Sequence, residues 1–379
     1  MNILAWAGIA FCAATAFIQF ATIAIVILRG RIAVGKLYAK PAVTPAISIL
    51  RPVCGLENSI ERTLRSGFEL DYPEYELVFC VANGDDPIVP VVEKLIAEYP
   101  QVPARLLVGD DRVSINPKLN NLVKGWKAAR HDWIVMADSN VLMPHDYLIR
   151  MLSRWSPTTG LVCSPPLGSE PDGIASEVEC AFLNTSQARW QLAADAIGNG
   201  FAQGKSMLWR REYLDDNGGI EALGAEAAED AAATKVIRGA GRHVRLVELP
   251  FPQPLGRRTF RAVWSRQLRW ARLRRVTFPV FFSFELIVGG FFPLLVALAL
   301  GLFDVIPLWS AALLAVAWYG SEVALAISLG WTSTPKQVLA WILRDVALPF
   351  LWVAAVSGSG FEWRGNLMNV KEDSLVEAD

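Results

Sequence analysis

Histidine is scarce in this chain: His131, His145 and His243 are the only three in 379 residues. Cysteine is little commoner, and Cys12, Cys54, Cys80, Cys163 and Cys180 form neither a Cys-x-x-Cys pair nor a metal-ligand spacing. That excludes a zinc ribbon, a thiol-redox motif and a disulfide framework. The scattered thiols read as reduced core residues of a cytosol-facing domain. Charged residues make up only 19% of the chain and the formal net charge is −1, which excludes a nucleic-acid binder. No internal repeat and no low-complexity linker interrupts the chain. One further absence is local: no acidic residue lies between Glu248 and Glu285, while Arg257, Arg258, Arg261, Arg266, Arg269, Arg272, Arg274 and Arg275 crowd that gap.

What is abundant is apolar. Such residues form 53% of the chain, and the mean hydropathy is +0.32. Residues 3–28 carry no charge and are long enough to cross a bilayer as one helix. Arg29, Arg31, Lys36 and Lys40 follow the run rather than precede it. That order argues for a retained anchor over 1–30, with the next segment in the cytosol. Beyond the arginine cluster, 286–303 and 305–329 read as a membrane hairpin broken near Asp304 and Pro307, with Glu322 the one charge in the second arm. Residues 338–356 are interrupted by Arg344, Asp345 and Pro349 and read either as a further crossing or as an interfacial helix. The C-terminal membrane region, 280–360, therefore holds two or three helices, and 361–379 is a polar tail.

Between these ends, short apolar runs alternate with helical patterns. Strands are expected at 47–50, 77–82, 105–108, 133–137 and 161–163, and helices at 58–66, 88–99 and 119–130. That alternation predicts an α/β domain over 42–275, a mostly parallel Rossmann-like sheet with helices on both faces. In such a sheet the site lies beyond the carboxyl ends of the strands. Asn83, Asp85 and Asp86 follow one expected strand, and Asp138, Ser139 and Asn140 follow another.

Each candidate has a plain reading beside the chemical one. Asp138 could bind a divalent cation or cap the next helix. Asp85 and Asp86, followed by Pro87, could be a turn. Glu229 and Asp230 could be the solvated face of an alanine-rich helix, and Arg269-Trp270 an interfacial anchor.

The order of these residues is more specific than any of them alone. Asp86, Asp138, Asp230 and Arg266-x-x-Arg269-Trp270 resemble the signature of inverting, nucleotide-sugar-dependent glycosyltransferases of the GT-A fold. Phe68 and Asp71-Tyr72-Pro73-Glu74-Tyr75-Glu76 are similar to the ceramide glucosyltransferase family. So are Asn116-Pro117-Lys118-x-Asn120-Asn121, Gln203-Gly204-Lys205-Ser206-Met207, and Glu229-Asp230 with Lys235. Two positions depart from the pattern. Asp138-Ser139-Asn140 stands in place of Asp-x-Asp, which removes one metal-binding carboxylate. Arg266 stands where the wider superfamily has Gln.

The resemblance implies roles. Asp230 would be the general base. Asp85, Asp86, Lys118, Arg266 and Arg269 would meet the donor and its diphosphate. Asp138 would hold Mg²⁺ or Mn²⁺. Trp270, Gly204 and Lys205 would line the sugar or the acceptor. The donor would be a uridine diphosphate sugar and the acceptor a membrane lipid, ceramide first and a hopanoid polyol next, met at the bilayer surface beside the basic segment 257–275. A processive polysaccharide synthase shares the spaced acids but needs an export channel. A non-enzymatic membrane scaffold does not need the intact acids. The apolar segments make it a multi-pass protein and the charges after the first run put the catalytic domain in the cytosol; the abundance of alanine and arginine points to a bacterial inner membrane rather than the Golgi.

Overall fold

The computed structural model describes residues 3–35, 44–331, 333–363 and 366–369. Lys36, Lys40 and the tail from Lys371 onward lie outside the described residues. In chain order the first elements are α1 (Ile3–Gly35), β1 (Ile47–Pro52), α2 (Ile60–Arg65), β2 (Tyr75–Val81), α3 (Val89–Glu98), β3 (Ala104–Val108), α4 (Pro117–Ala128) and β4 (Trp133–Ala137). Next come α5 (Tyr147–Leu152), β5 (Thr159–Ser164), β6 (Leu167–Asp172), α6 (Ile174–Ala181), a π-helical stretch Phe182–Ala188, and α7 (Arg189–Ala196). Then follow β7 (Ser206–Arg210), α8 (Arg211–Asp215), α9 (Glu229–Gly239), β8 (His243–Leu246) and β9 (Pro252–Arg257). The chain continues with α10 (Phe260–Thr277), α11 (Pro279–Val288), α12 (Phe291–Leu302), α13 (Leu308–Ser328), α14 (Pro335–Ser357), β10 (Gly360–Trp363) and β11 (Asn366–Asn369).

The chain divides into two compact units. The first comprises Ala33–Glu170 and Ala194–Gly256 and holds a seven-stranded sheet in the order β3-β2-β1-β4-β7-β5-β8. β1 pairs in parallel with β2 and β4, and β2 with β3. β7 runs antiparallel between β4 and β5. The sheet is thus mixed, and mostly parallel as its apolar runs led one to expect. Strand side chains alternate between two buried faces. Ile47, Ile49, Leu77 and Phe79 pack on one face with Leu64 of α2, Val92 of α3 and Tyr147 of α5. On the other face α4 lies so close that a Cβ on Gly125 would fall 2.6 Å from Cys80 Sγ and 3.6 Å from Leu50 Cδ1. Only glycine allows that approach.

The second unit comprises Met1–Ile32, Pro171–Ala193 and Arg257–Lys371. Ile3–Ala33, Leu308–Ser328 and Pro335–Ser357 are long and apolar enough to cross a membrane. The apolar run 286–303 is not one helix: α11 and α12 are separated by Gly289-Gly290 and bent by 42°, and the pair could form a fourth span. The charges that interrupt the C-terminal spans pair with each other. Arg344 donates Nη2 to Glu322 Oε1 at 2.8 Å and Nη1 to Glu322 Oε2 at 3.0 Å, and its Nε to Asp345 Oδ1 at 2.9 Å. Asp345 Oδ2 accepts the Gly290 N–H at 3.0 Å and so holds the bend. Buried ions inside a membrane are tolerated in such pairs. The start of the expected polar tail pairs as β10–β11, and its charged residues from Lys371 onward lie outside the described residues.

Candidate active site

The sheet unit gathers its polar side chains at one strand end. β7 starts level with the end of β4, Ala137 opposite Ser206. The Gly204-Lys205 loop therefore lies against Asp138, whose N–H donates to the Lys205 carbonyl at 3.0 Å. The third contributor is the start of α4. Asn116 caps that helix by accepting from Lys118 N at 2.9 Å and Leu119 N at 3.2 Å, with Pro117 in the first turn. The cap puts Lys118 at the helix start, facing the loops. The fourth is the start of α9, where Glu229 and Asp230 occupy the first turn.

These pieces form a chain of alternating charge. Lys118 Nζ lies 2.7 Å from Asp138 Oδ1 and 2.6 Å from Glu229 Oε1, and donates to the Gly204 carbonyl at 2.7 Å. Lys205 Nζ lies 2.8 Å from Asp138 Oδ2 and 3.2 Å from Asn140 Oδ1. Asn116 Nδ2 donates to Glu229 Oε2 at 2.7 Å. Gly204 donates its N–H to Asp230 Oδ2 at 3.1 Å.

The electrostatics separate the two aspartates. Burial works against the Asp138 carboxylate, but the Lys118 and Lys205 ammonium groups outweigh it and hold the carboxyl well below the usual range. Lys118 is also largely withdrawn from water, and the carboxylates of Asp138 and Glu229 keep it charged. Asp230 goes the other way. Burial and the neighbouring Glu229 charge push it up to about 6, although Lys118 and the N–H groups of Gly204 and Ala231 oppose the rise. Two carboxyl groups driven apart in this way can divide ligand binding and proton transfer between them.

Among the described residues no group of three or more His, Cys, Asp or Glu side chains is placed to hold a metal ion. A smaller donor set is present. Asp138 Oδ2 and Asn140 Oδ1 converge on one ammonium, that of Lys205, so two oxygens already surround a positive charge. One carboxylate with an amide oxygen fits a magnesium-like ion that keeps waters and takes its other ligands from substrate phosphates.

Of the residues expected from the sequence, Asp138, Lys118, Gly204, Lys205 and Asp230 are brought together. Asp86 is apart from them: its carboxylate accepts the Gly55 N–H at 2.9 and 3.1 Å and the Ile88 N–H at 2.9 Å, so it fixes the turn before α3. Asp85 is exposed beside it. Asp138 caps no helix, and Glu229 is buried rather than solvated. Glu229, Asn116 and Asn140 belong to the cluster although the sequence reading gave them no role. The adjacent acids and the Asn-Pro start of a helix were the available signals.

Arg266, Arg269 and Trp270 lie on α10, in the second unit. Arg266 Nη1 is 2.6 Å from Oε1 of buried Glu179, which also faces Arg258 Nε at 3.7 Å. Gln267 accepts from Gln187 Nε2 at 2.9 Å. The neighbouring cations are also engaged. Arg274 Nη2 meets Glu285 Oε2 at 2.9 Å, and Arg275 donates to the last carbonyls of α14, Ala355 and Val356, at 2.6 and 2.7 Å. Much of the basic segment is thus held within its own unit.

Comparison with known proteins adds independent findings. The sequence profile of glycosyl transferase family 21 matches residues 11–376. Ceramide glucosyltransferase 3 of Caenorhabditis elegans is 28% identical over 335 residues, which is 86% of this chain and 73% of that protein. A ceramide glucosyltransferase of Komagataella phaffii is 32% identical over 237 residues, 55% of this chain and 47% of that one. Among solved structures, a mannosyltransferase from Pyrobaculum calidifontis, in complex with GDP-Man and Mn²⁺, superimposes with a TM-score of 0.50 at 18% identity. It covers 92% of this chain and 97% of its own, a likeness of fold.

Proposed function

Because the chain belongs to glycosyl transferase family 21, we propose that it transfers a hexose, glucose first, from a uridine diphosphate sugar to a membrane lipid, ceramide first. The reaction is an inverting single displacement. The observation that carries this reading is the half-buried Asp230, with its carboxyl raised to about 6, joined through Gly204, Lys118 and Glu229 to Asp138.

Asp230 takes the proton of the acceptor hydroxyl as that oxygen attacks the anomeric carbon. The bond from that carbon to the diphosphate breaks, and its electron pair leaves with the uridine diphosphate. Lys118 places positive charge where the diphosphate gains negative charge, a fixed arrangement that needs no reorganisation during the step, and Gly204 and Lys205 are assigned to the sugar or the acceptor. Asp138 and Asn140 would hold Mg²⁺ or Mn²⁺. Bound there, the ion neutralises phosphate charge as a Lewis acid. On their motif alone, Arg269 is assigned to the leaving diphosphate and Trp270 to the sugar or the acceptor. Asp85 and Asp86 are assigned to the donor side, and Arg266, already paired with Glu179, to holding the motif helix. The apolar helices keep the enzyme in a membrane. We place the sheet unit in the cytosol, at a bacterial inner membrane.

A lipid-acceptor screen with radiolabelled uridine diphosphate sugars tests the reading. Ceramide, a hopanoid polyol and diacylglycerol are presented in mixed micelles, with and without chelator. The expected outcome is labelled ceramide, lost on chelation and restored by Mg²⁺ or Mn²⁺. Label in hopanoid alone would change the acceptor. Label in no lipid would refute the proposal.

A further inference from the structure

Arg51 is fully buried, and its guanidinium forms no ion pair with a carboxylate among the described residues, although the nearby Asp138 charge favours its charged form. A charge withdrawn from water must be compensated locally. Here the compensation is backbone. Arg51 Nη2 donates to the carbonyls of Asp138, Ser139 and Val141, each at 3.1 Å, and Nη1 donates to the Thr63 carbonyl at 2.8 Å. The placement follows from register. Leu50 of β1 stands opposite Met136 of β4, so Arg51 stands level with the last residue of β4, and its side chain reaches the turn beyond. Thr63 completes the hold, its Oγ1 donating to the Ser139 carbonyl at 2.7 Å. Ser66 Oγ joins the Thr63 carbonyl at 2.8 Å and accepts the Met143 N–H at 3.0 Å.

We propose that Arg51 is a positioning residue for the donor site, fixing the 138–141 turn so that Asp138 and Asn140 converge on one cation. This rests on the reading of Asp138 as the residue that meets the donor diphosphate and its metal. No carbonyl of that turn could be served by an apolar residue at position 51. A lysine has one nitrogen where the guanidinium uses two, so it cannot serve the turn carbonyls on Nη2 and the Thr63 carbonyl on Nη1 together. Thr63 acts in the same direction with one neutral hydrogen bond.

Two variants, Arg51→Lys and Thr63→Val, test the proposal with two readouts. The first is hydrogen exchange of the peptide spanning 138–143 in metal-free protein in detergent. The second is calorimetric binding of UDP with Mn²⁺. Both variants should speed exchange in that peptide and leave the membrane helices unchanged. Both should weaken Mn²⁺-dependent UDP binding roughly 10- to 100-fold, the range for residues that orient metal ligands, with Arg51→Lys the larger effect. Unchanged exchange and unchanged binding in both variants would overturn the proposal. If Arg51→Lys does not accumulate as folded protein, Thr63→Val, which removes one hydrogen bond and no charge, decides by the same readouts. Wild-type protein that fails to bind UDP would refute the donor assignment instead, and the exchange of 138–143 would still decide whether Arg51 and Thr63 hold the turn.

Discussion

Gly204 donates its N–H to Asp230 Oδ2 at 3.1 Å, and the space for a side chain at Gly204 is already taken. A Cβ there would fall 2.6 Å from Glu229 Oε1 and 3.0 Å from Lys118 Nζ. The loop therefore approaches the carboxylates as closely as backbone can. Gly204→Ala should push Lys118 and Glu229 apart. Overpacking of this kind costs about 1–3 kcal/mol. Turnover should fall about tenfold or more, while the membrane unit stays folded. Steady-state kinetics beside a thermal melt checks this, and wild-type turnover in the variant would remove Gly204 from the site.

Asp230 is the group whose protonation should govern rate. Its carboxyl is raised to about 6 by burial and by Glu229, so it is mostly ionised at pH 7 and takes up a proton below about 6. Only the ionised form can act as a base. On the acid side kcat/KM should therefore fall about tenfold per pH unit below about 6. Asp230→Asn should lower turnover at least about a hundredfold and abolish that acid limb, with UDP binding retained. An Asn variant with the wild-type profile would contradict the assignment.

Lys118 is held between Asp138 and Glu229 at 2.7 and 2.6 Å with little solvent contact. Lys118→Met removes the cation between Asp138 and Glu229 and leaves only Lys205 and Asn116 to hold them. Loss of one partner from a buried pair costs about 3–5 kcal/mol. The melting temperature should drop clearly and UDP binding should be lost together with it. Adding Glu229→Gln to Lys118→Met should recover part of the stability and none of the binding. An unchanged melt for the single variant would show that the ion pairs are solvent-screened.

In the membrane unit, Arg344 is the shared partner of Glu322 and Asp345 and also donates to Thr185 Oγ1 at 2.7 Å. Arg344→Met should strand both acids and sharply reduce folded protein recovered in detergent. Glu322→Gln, which keeps a hydrogen-bonding oxygen and removes one charge, should be milder. Size-exclusion recovery of the two variants measures this. Equal recovery to wild type for Arg344→Met would mean that the cluster is dispensable.

The parallel half of the sheet was legible because β1, β2 and β4 are short, mostly apolar runs bounded by turn residues. β7 was not, since its short apolar core of Met207, Leu208 and Trp209 runs straight into α8 at Arg211 with no turn residue to bound it. The bend between α11 and α12 was hidden for the opposite reason, because Gly289-Gly290 sits within an unbroken hydrophobic stretch. Spaced acids located Asp138 and Asp230, but a one-dimensional pattern could not pair Asp138 with Lys118 and Lys205. The Lys205 pairing depends on β7 running antiparallel beside β4. Arg51 left one sign, a charge closing the apolar run of β1, and its partners are distant in sequence. Nothing in the sequence pairs Arg266 with Glu179, because the two are far apart along the chain.

The anomeric configuration of the lipid product tests the central claim most directly. Purified protein is incubated with α-linked UDP-glucose and ceramide in micelles, and the glycolipid is analysed by proton NMR. A single displacement with Asp230 as base yields β-linked glucosylceramide, recognised by its large anomeric coupling. An α-linked lipid product, or glucose released to water with no glycolipid formed, would contradict it.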